Sequence, residues 1–203
     1  MRIFATALIG LALTVILFIF GPVIKQELSY SFNRMSGVQY SIDNIDVWSF
    51  QRPINAPNIN FSIIIPKLNA VSAIVENVDP LNQDEYLNAL KKGVAHARGS
   101  AFPGSVGNVF LFAHSTDTLI NVGRYNAIFF LIGHLTEGDE VDIYYKGRLY
   151  KYIVYDKKVV EPTDVEYLGT LTEGEKTLTL QTCYPPGTTF KRLVILAKLK
   201  ESE

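Results

Sequence analysis

Cys183 is the only cysteine in a chain of 203 residues, so it cannot form an internal disulfide. It directly follows the β-branched run "TLTLQT" and precedes a turn with the sequence "YPPG". Arg192 opens the next apolar run, with eight residues between the two. If these runs pair as strands, the thiol and the guanidinium can face one cavity. There a cation would favour the thiolate and stabilise charge developing on a carbonyl oxygen. Two interpretations of the lone cysteine stay open here, a buried structural thiol and a nucleophile for acyl transfer.

A cysteine nucleophile also needs a proton donor for the leaving amine, and this donor is usually histidine. The chain has three histidines. His114 follows the apolar run "NVFLFA" and precedes the polar loop "STDT", a position at which a barrel strand presents a catalytic group. His96 lies in a similar setting, "GVAHARGS", and His134 ends the helix-like stretch "NAIFFLIGHL". Residue types alone leave all three open, with His114 as the first candidate.

Short strand signals follow one another from residue 61 onward, and helix signals are few. Two segments favour helices, "DEYLNALKKG" and "VGRYNAIFFLIGHL". A pair of long strands is predicted to turn at Lys146-Gly147. The other strand candidates are "FSIIIP", "AVSAIV", "NVFLFA", "KTLTLQT" and "RLVILAKL". This spacing, without a βαβ rhythm, predicts a mainly β fold, a mostly antiparallel barrel of seven or eight strands with short helices.

The N-terminus predicts a transmembrane helix ahead of this barrel. Residues 3–24 carry no charge and are bracketed by Arg2 and Lys25. Twenty-two helical residues would span roughly 33 Å, enough for a hydrocarbon core of about 30 Å and longer than the apolar core of a cleaved signal peptide. We therefore expect a membrane anchor over residues 1–25, an irregular stalk over 26–60 and one catalytic domain over 61–203. The lipid bilayer is the expected partner of residues 3–24.

Composition argues against several other classes of function. The chain has 19 basic and 20 acidic residues, so nothing indicates a nucleic-acid partner. The mean hydropathy of +0.15 reflects apolar residues concentrated at the N-terminus. Glu161, Asp164 and Glu166 are interpreted as solvated loop charges, not as a calcium site. We expect neither a metal nor a cofactor.

Four segments, in order along the chain, resemble the motifs of the sortase family. "FSIIIPKLNA" resembles its entry strand, and "FPGSVGNVFLFAHS" resembles the segment that ends in the catalytic histidine. "LTEGDEVDIYYKGRLYKYIV" resembles the stretch that follows. "TLQTC" with the downstream arginine resembles the TLxTC signature. The likeness runs from about Phe61 to Leu199, and it implies a closed, sortase-like β-barrel.

The resemblance also implies roles for individual residues. Cys183 would be the nucleophile, His114 the general acid and base, and Arg192 the group that holds the substrate backbone or oxyanion. Thr182 and the amide of Tyr184 would assist at the same site. His96 is expected to have a structural or substrate-side role, and it is a candidate substrate-binding residue.

The implied function is that of a membrane-anchored cysteine transpeptidase at the plasma membrane, single-pass, with its catalytic domain extracellular. It would cleave a C-terminal sorting motif of exported proteins through a thioacyl-enzyme intermediate. The acyl group would pass to an amine acceptor, such as a cell-wall peptide or a pilin lysine, or to water. The alternative is a catalytically inactive, membrane-tethered β-barrel that binds peptides. An L,D-transpeptidase is disfavoured, because Thr182 precedes the cysteine and no histidine lies near it in sequence.

Some features depart from the usual family pattern. Ala113 stands where a glycine usually precedes the catalytic histidine. The connection between Cys183 and Arg192 is short, which points away from the housekeeping class and toward a compact one. The triplet Asp46–Trp48 resembles the lid of pilus-building sortases only weakly, and three residues do not support that assignment.

Overall fold

The structure is a computed structural model that describes residues 2–42, 51–115, 128–169 and 173–200. Within these ranges it has ten strands, two α-helices and three short 3₁₀ helices. The helices are α1 Arg2–Met35 and α2 Gln83–Leu90, and the 3₁₀ helices are Pro66–Leu68, Ile132–His134 and Glu166–Leu168. The strands are β1 Gln39–Ser41, β2 Gln51–Pro53, β3 Phe61–Ile65, β4 Ala70–Val78, β5 Val94–Ala97, β6 Gly107–Phe112, β7 Glu140–Tyr145, β8 Arg148–Val160, β9 Lys176–Tyr184 and β10 Lys191–Leu199.

Helix α1 continues ten residues past the predicted end of the anchor, through Lys25 to Met35. The stalk, predicted to be irregular from residue 26, therefore begins as helix. Its polar residues have modest helix propensity, but Tyr30 packs against the barrel core and stacks on His134 at 4.5 Å. The helix ends at Met35, and Gly37, two residues beyond, has a φ of +66°, the left-handed conformation that favours a helix C-terminus.

None of the helices in the described part of the chain is long and apolar enough to cross a membrane.

Eight of the strands close into a barrel in the order β10-β8-β7-β3-β4-β5-β6-β9, with β9 returning to β10. Two neighbouring pairs, β4–β5 and β6–β9, are parallel, and the other six are antiparallel. The prediction of a mainly β, closed barrel of seven or eight strands with short helices is confirmed. Strands β1 and β2 form a separate two-stranded sheet.

The turn between β7 and β8 lies where the sequence placed it. Lys146 and Gly147 have φ values of +49° and +78°. Two consecutive residues with positive φ make the tight connection whose twist matches that of the flanking strands. Glycine adopts this backbone without strain, so the pair "KG" fixes the register of both strands.

The segment 128–135 plugs the barrel and is not the helix that the sequence predicted. Ile128 to Ile132 are all at most 9 % exposed, and Leu135 is fully buried. Five consecutive buried residues leave no polar face of the kind a surface helix shows, and only Ile132–His134 forms a 3₁₀ turn. Lys157 on β8 donates to the carbonyl oxygens of Gly133 and Leu135, at 2.7 and 2.9 Å. The first part of the predicted helix, residues 122–127, lies outside the residues that the structure describes.

His134 lies near the end of this segment and contacts α1 instead of the barrel interior. Its Nε2 lies 3.1 Å from Glu27 Oε2, and its ring stacks on Tyr30. This histidine links the helix to the plug. The contact explains the ordered position of the helix end without any catalytic role for His134.

A buried carboxyl group lies on β7. Asp142 is fully buried between its strand neighbours Ile64 and Lys151. Among the described residues neither of its oxygens has a hydrogen-bond partner, and Lys151 Nζ, 3.6 Å from Oδ1, is too distant to donate one. Burial, with a smaller contribution from Glu140, raises the pKa of Asp142 from 3.8 to about 7.

We expect Asp142→Asn to stabilise the protein at pH 8 by about 1–3 kcal/mol. The raised pKa means that the folded state holds the proton more tightly than the unfolded state. The protonated Asp142 therefore contributes its full stabilisation below about pH 4, and this contribution is lost as the pH rises through 7. Urea unfolding at pH 5, 6.5 and 8 measures this. The free energy of unfolding of the variant, relative to that of the wild type, should increase as the pH rises.

The exposed Asp84 on α2 provides the matched control for this experiment. Asp84→Asn should shift stability by the same small amount at all three pH values. His96, the other buried group in the described part with a shifted pKa near neutrality, is present in both proteins and cancels in the comparison. An Asp142→Asn protein whose stability difference from wild type does not change with pH would contradict the assignment.

Candidate active site

The register of β9 and β10 places Cys183 directly opposite Arg192. Residues directly opposite in an antiparallel pair project from the same face of the sheet, with Cβ atoms about 4.5–5.5 Å apart. Both side chains are partly exposed. The thiol and the guanidinium are therefore cross-strand neighbours that solvent can reach, as the spacing of the two residues predicted.

His114 extends the same row to a third strand. The parallel pairing of β6 and β9 ends at Phe112 and Gln181, and the amide of Ala113 still donates to Gln181 O at 3.2 Å. His114 and Cys183 each lie two residues beyond the last matched pair. Because side chains alternate along a strand, both face the same way. The side chain of His114 is half-buried.

The row lies on the outer face of the barrel. Leu178 and Leu180 of β9 point into the main core, so Cys183, an odd number of residues away, points outward. On β6, Phe110 belongs to a separate apolar cluster on that outer face, with Val194 of β10. Three adjacent strands, β6, β9 and β10, thus present His114, Cys183 and Arg192 side by side at one end of the barrel.

Thr182 holds the strand end that precedes His114. It is buried, and its Oγ1 donates to the carbonyl oxygen of Ala113 at 2.9 Å. The hydroxyl is thus already used within the protein, and Thr182 fixes the spacing of β6 and β9 beside the row. The structure thus gives Thr182 a positioning contact, and its predicted role in substrate binding stays a prediction.

Ser115 provides a second tie that sequence reasoning missed. It is 1 % exposed, and its Oγ accepts a hydrogen bond from the amide of Gly187 at 3.4 Å. This contact joins the residue after His114 to the turn after Cys183. The available signal was a hydroxyl directly after the histidine in "FLFAHS", although its partner 72 residues away is not visible in sequence.

Arg192 is oriented by the turn that precedes it. Its Nη1 donates to the carbonyl oxygens of Thr189 and Lys191, at 3.2 and 3.1 Å. The guanidinium has five N–H donors, and the described residues provide no hydrogen-bond partner for Nε or Nη2. These donors are available to an oxygen that enters beside Cys183.

Tyr184 is the last residue of β9 and pairs with Lys191, and its side chain is 37 % exposed. The position places its backbone directly after the cysteine. Its amide, predicted to be an oxyanion donor, is therefore adjacent to the thiol in the chain.

His96 is not part of this row. It is fully buried on β5, its ring stacks on Phe102 at 4.6 Å, and Nε2 lies 3.0 Å from Ala101 O. The amide of Asn77 donates to Nδ1 at 3.4 Å, which fits a neutral ring protonated on Nε2. Burial lowers the pKa of His96. A side chain without exposed surface cannot contact substrate, so the predicted substrate-binding role does not agree with the structure, and we assign His96 a structural role.

Within the described ranges, no three His, Cys, Asp or Glu side chains are grouped to hold a metal ion. Asp164 accepts a hydrogen bond from the amide of Glu161 at 3.0 Å and so closes its own loop. The triplet Asp46–Trp48 lies outside the described residues.

This row can perform acyl transfer. A thiol provides the nucleophile, a neighbouring imidazole can move the proton, and a guanidinium can receive the charge of the oxyanion. Cys183 and Arg192 lie on paired barrel strands, and His114 lies two residues past the end of the adjacent strand β6.

Residues 63–200 match the Sortase domain family. Sortase D of Bacillus subtilis is 30 % identical over 137 residues, which are 66 % of this chain and 60 % of that protein. The chain thus matches less than two thirds of the length of that relative. Two solved structures are also similar. A Sortase D5 transpeptidase of Clostridium perfringens has a TM-score of 0.56 and 27 % identity, covering 70 % of this chain and 79 % of that one. Sortase A of Corynebacterium diphtheriae has a TM-score of 0.60 and 26 % identity, covering 72 % and 62 %. The family match covers more than half of the chain, which therefore belongs to the sortase family.

Proposed function

We propose that this protein is a cysteine transpeptidase that cleaves a C-terminal sorting peptide of exported proteins and transfers the acyl group to an amine. One observation supports this most strongly. The register of three adjacent barrel strands aligns Cys183 with Arg192 and His114 on one solvent-accessible face. The family match and the similarity to a Sortase D5 transpeptidase support the same reaction class.

In the first half of the reaction, the sulfur of Cys183 attacks the carbonyl carbon of the scissile amide. The C–N bond breaks as the tetrahedral intermediate collapses, and His114 gives a proton to the departing amine. The products are a thioester on Cys183 and a free amine. The thiol gives up its proton to His114 when the thiolate forms. His114 passes that proton to the departing amine, so the step balances.

In the second half, an amine attacks the thioester. His114 accepts a proton from that amine, the new amide forms, and the thiolate leaves. Water in place of the amine gives hydrolysis. The acceptor is proposed to be a cell-wall peptide or a pilin lysine.

Arg192 is proposed to bind the oxygen that becomes negative in each tetrahedral intermediate. Its Nη1 is held by two turn carbonyls, while Nε and Nη2 remain for the substrate. A donor oriented before the reaction stabilises the developing charge without having to reorganise. The amide of Tyr184 is proposed as a second donor to that oxygen.

We further propose that residues 3–24 anchor the chain in the plasma membrane, with the catalytic domain outside the cell. The support is the uncharged 22-residue segment between Arg2 and Lys25. An exported protein with a sorting peptide would meet the enzyme at that surface. The lipid bilayer is then the partner of the N-terminal segment.

A covalent-capture experiment tests the transpeptidase proposal. The full chain in detergent is incubated with a library of C-terminal sorting peptides, and intact mass spectrometry followed by peptide mapping locates any adduct. We expect an acyl adduct on Cys183 with a subset of peptides, released as the hydroxamate when hydroxylamine is added. Peptides that bind without cleavage or adduct would favour the inactive binding module, and cleavage without a Cys183 adduct would overturn the mechanism.

A further inference from the structure

A buried amide joins β6 to the connection between β8 and β9. Asn108 is 3 % exposed, and its Nδ2 donates to the carbonyl oxygen of Tyr167 at 2.7 Å. Its Oδ1 accepts from Thr177 Oγ1 and Thr179 Oγ1, at 3.1 and 3.0 Å. The side chain of Asn108 is thus hydrogen-bonded both to strand β9 and to the 3₁₀ helix Glu166–Leu168. Asn108 ends the segment "FPGSVGN", to which the proposed mechanism gives no role.

The 3₁₀ helix lies on the same outer face as the catalytic row. Tyr167 is 7 % exposed and packs in the outer-face cluster with Phe110 of β6 and Val194 of β10. Leu168 and Phe112 are partly buried at the edge of that cluster. The short helix therefore covers one end of the face.

Alternation along β6 relates the helix to the row. Asn108, Phe110, Phe112 and His114 are two residues apart in turn and share the outer face. His114 lies four positions after Phe110, against which Tyr167 packs. At about 3.4 Å per residue this is roughly 14 Å, the length of about four extended residues. An extended peptide whose carbonyl reaches Cys183 would meet the 3₁₀ helix at its other end.

We propose that Asn108 is a positioning residue that fixes the 3₁₀ helix Glu166–Leu168 as the end wall of the peptide groove and thereby sets peptide selectivity. The inference depends on the proposed function, because the occupant of the groove is the peptide that acylates Cys183. The Nδ2–H to Tyr167 O bond is the described side-chain hydrogen bond that ties this helix to the barrel strands. The backbone hydrogen bonds of the helix are short-range, Leu168 N to Val165 O and Gly169 N to Glu166 O, and Tyr167 adds apolar packing in the outer-face cluster.

The test compares Asn108→Ala with Thr179→Val. The first variant removes the bond to Tyr167. The second removes one hydrogen bond from the same buried amide and leaves the bond to Tyr167 in place. The probes are the strongest acylating peptide of the library and its single-residue variants, upstream of the scissile bond.

We expect Asn108→Ala to lower kcat/KM by about tenfold through KM, with kcat within about twofold, and to reduce discrimination among the peptide variants. Thr179→Val should keep both KM and discrimination. Hydrogen exchange of residues 165–169, measured without peptide, should speed up in Asn108→Ala and not in Thr179→Val. If Asn108→Ala does not fold, Asn108→Ser serves, since its shorter hydroxyl can still meet the threonines but not Tyr167.

Two results would overturn the inference. One is unchanged exchange and unchanged discrimination in a folded Asn108 variant, and the other is an equal loss of discrimination in Thr179→Val. Neither result touches the proposed function, whose failure would appear as the absence of an adduct on Cys183 in the wild-type protein. The exchange measurement needs no substrate and so remains decisive in that case.

Discussion

Replacing Cys183 with alanine is expected to abolish formation of the acyl adduct and to lower peptide cleavage by about 10³-fold or more. The sulfur forms the covalent bond in the proposed mechanism, and no other cysteine exists to replace it. The side chain is partly exposed, so its removal leaves no large cavity and the fold should persist. Intact mass spectrometry and a cleavage assay on the same sample measure both losses.

Peptide affinity provides the control for this result. Cys183→Ala should bind the acylating peptide within about threefold of the wild type, because the proposed groove wall and Arg192 are unchanged. Cys183→Ser should likewise bind and fail to accumulate an adduct, since a hydroxyl is a far weaker nucleophile at neutral pH. Undiminished cleavage by either variant would show that the reaction does not proceed through this thiol.

The barrel was predictable because its strands carry local signals. Continuous apolar runs such as "FSIII" and "NVFLF" became strands of the barrel, and Lys146-Gly147 formed the turn expected of it. The pairing of Cys183 with Arg192 followed from the short connection between two strands, which leaves little freedom of register. The likeness of four ordered motifs to sortases gave the third member of the row, His114.

Other features depend on contacts between distant parts of the chain. The plug 128–135 has the apolar content of a helix, but residues 128–132 and Leu135 all pack in the main core, so no amphipathic period is needed. The helical start of the stalk depends on Tyr30 meeting His134, more than 100 residues away. His96 resembled a strand-end histidine like His114, and only the packing of Phe102 shows it to be internal.

Contacts between distant parts of the chain also explain why the sequence did not predict the residues that support the site. Ser115 meets Gly187 across 72 residues, and Asn108 meets Tyr167 across 59. No local pattern encodes either contact. Sequence thus predicted the reacting groups, while the structure showed contacts that hold the strand ends around them.

Replacing Arg192 with alanine is expected to slow acylation of Cys183 by about 10²- to 10³-fold, the cost of losing a preorganised donor to an oxyanion. The structure favours action on the substrate oxygen, because turn carbonyls hold Nη1 while Nε and Nη2 have no described partner. Single-turnover mass spectrometry at saturating peptide gives the acylation rate. The rate of alkylation of Cys183 by iodoacetamide should then change little, since that reaction has no oxyanion.

Two further variants separate charge from geometry. Arg192→Lys keeps the cation but loses the planar fork of donors, so it should recover only a small part of the lost rate. Lys191→Ala removes the neighbouring cation, which is paired with Glu161 at 3.0 Å, and should stay within about twofold of wild type. Full recovery by lysine would reduce the role of Arg192 to a general positive charge. A parallel drop in alkylation would move its action from the carbonyl oxygen to the thiol itself.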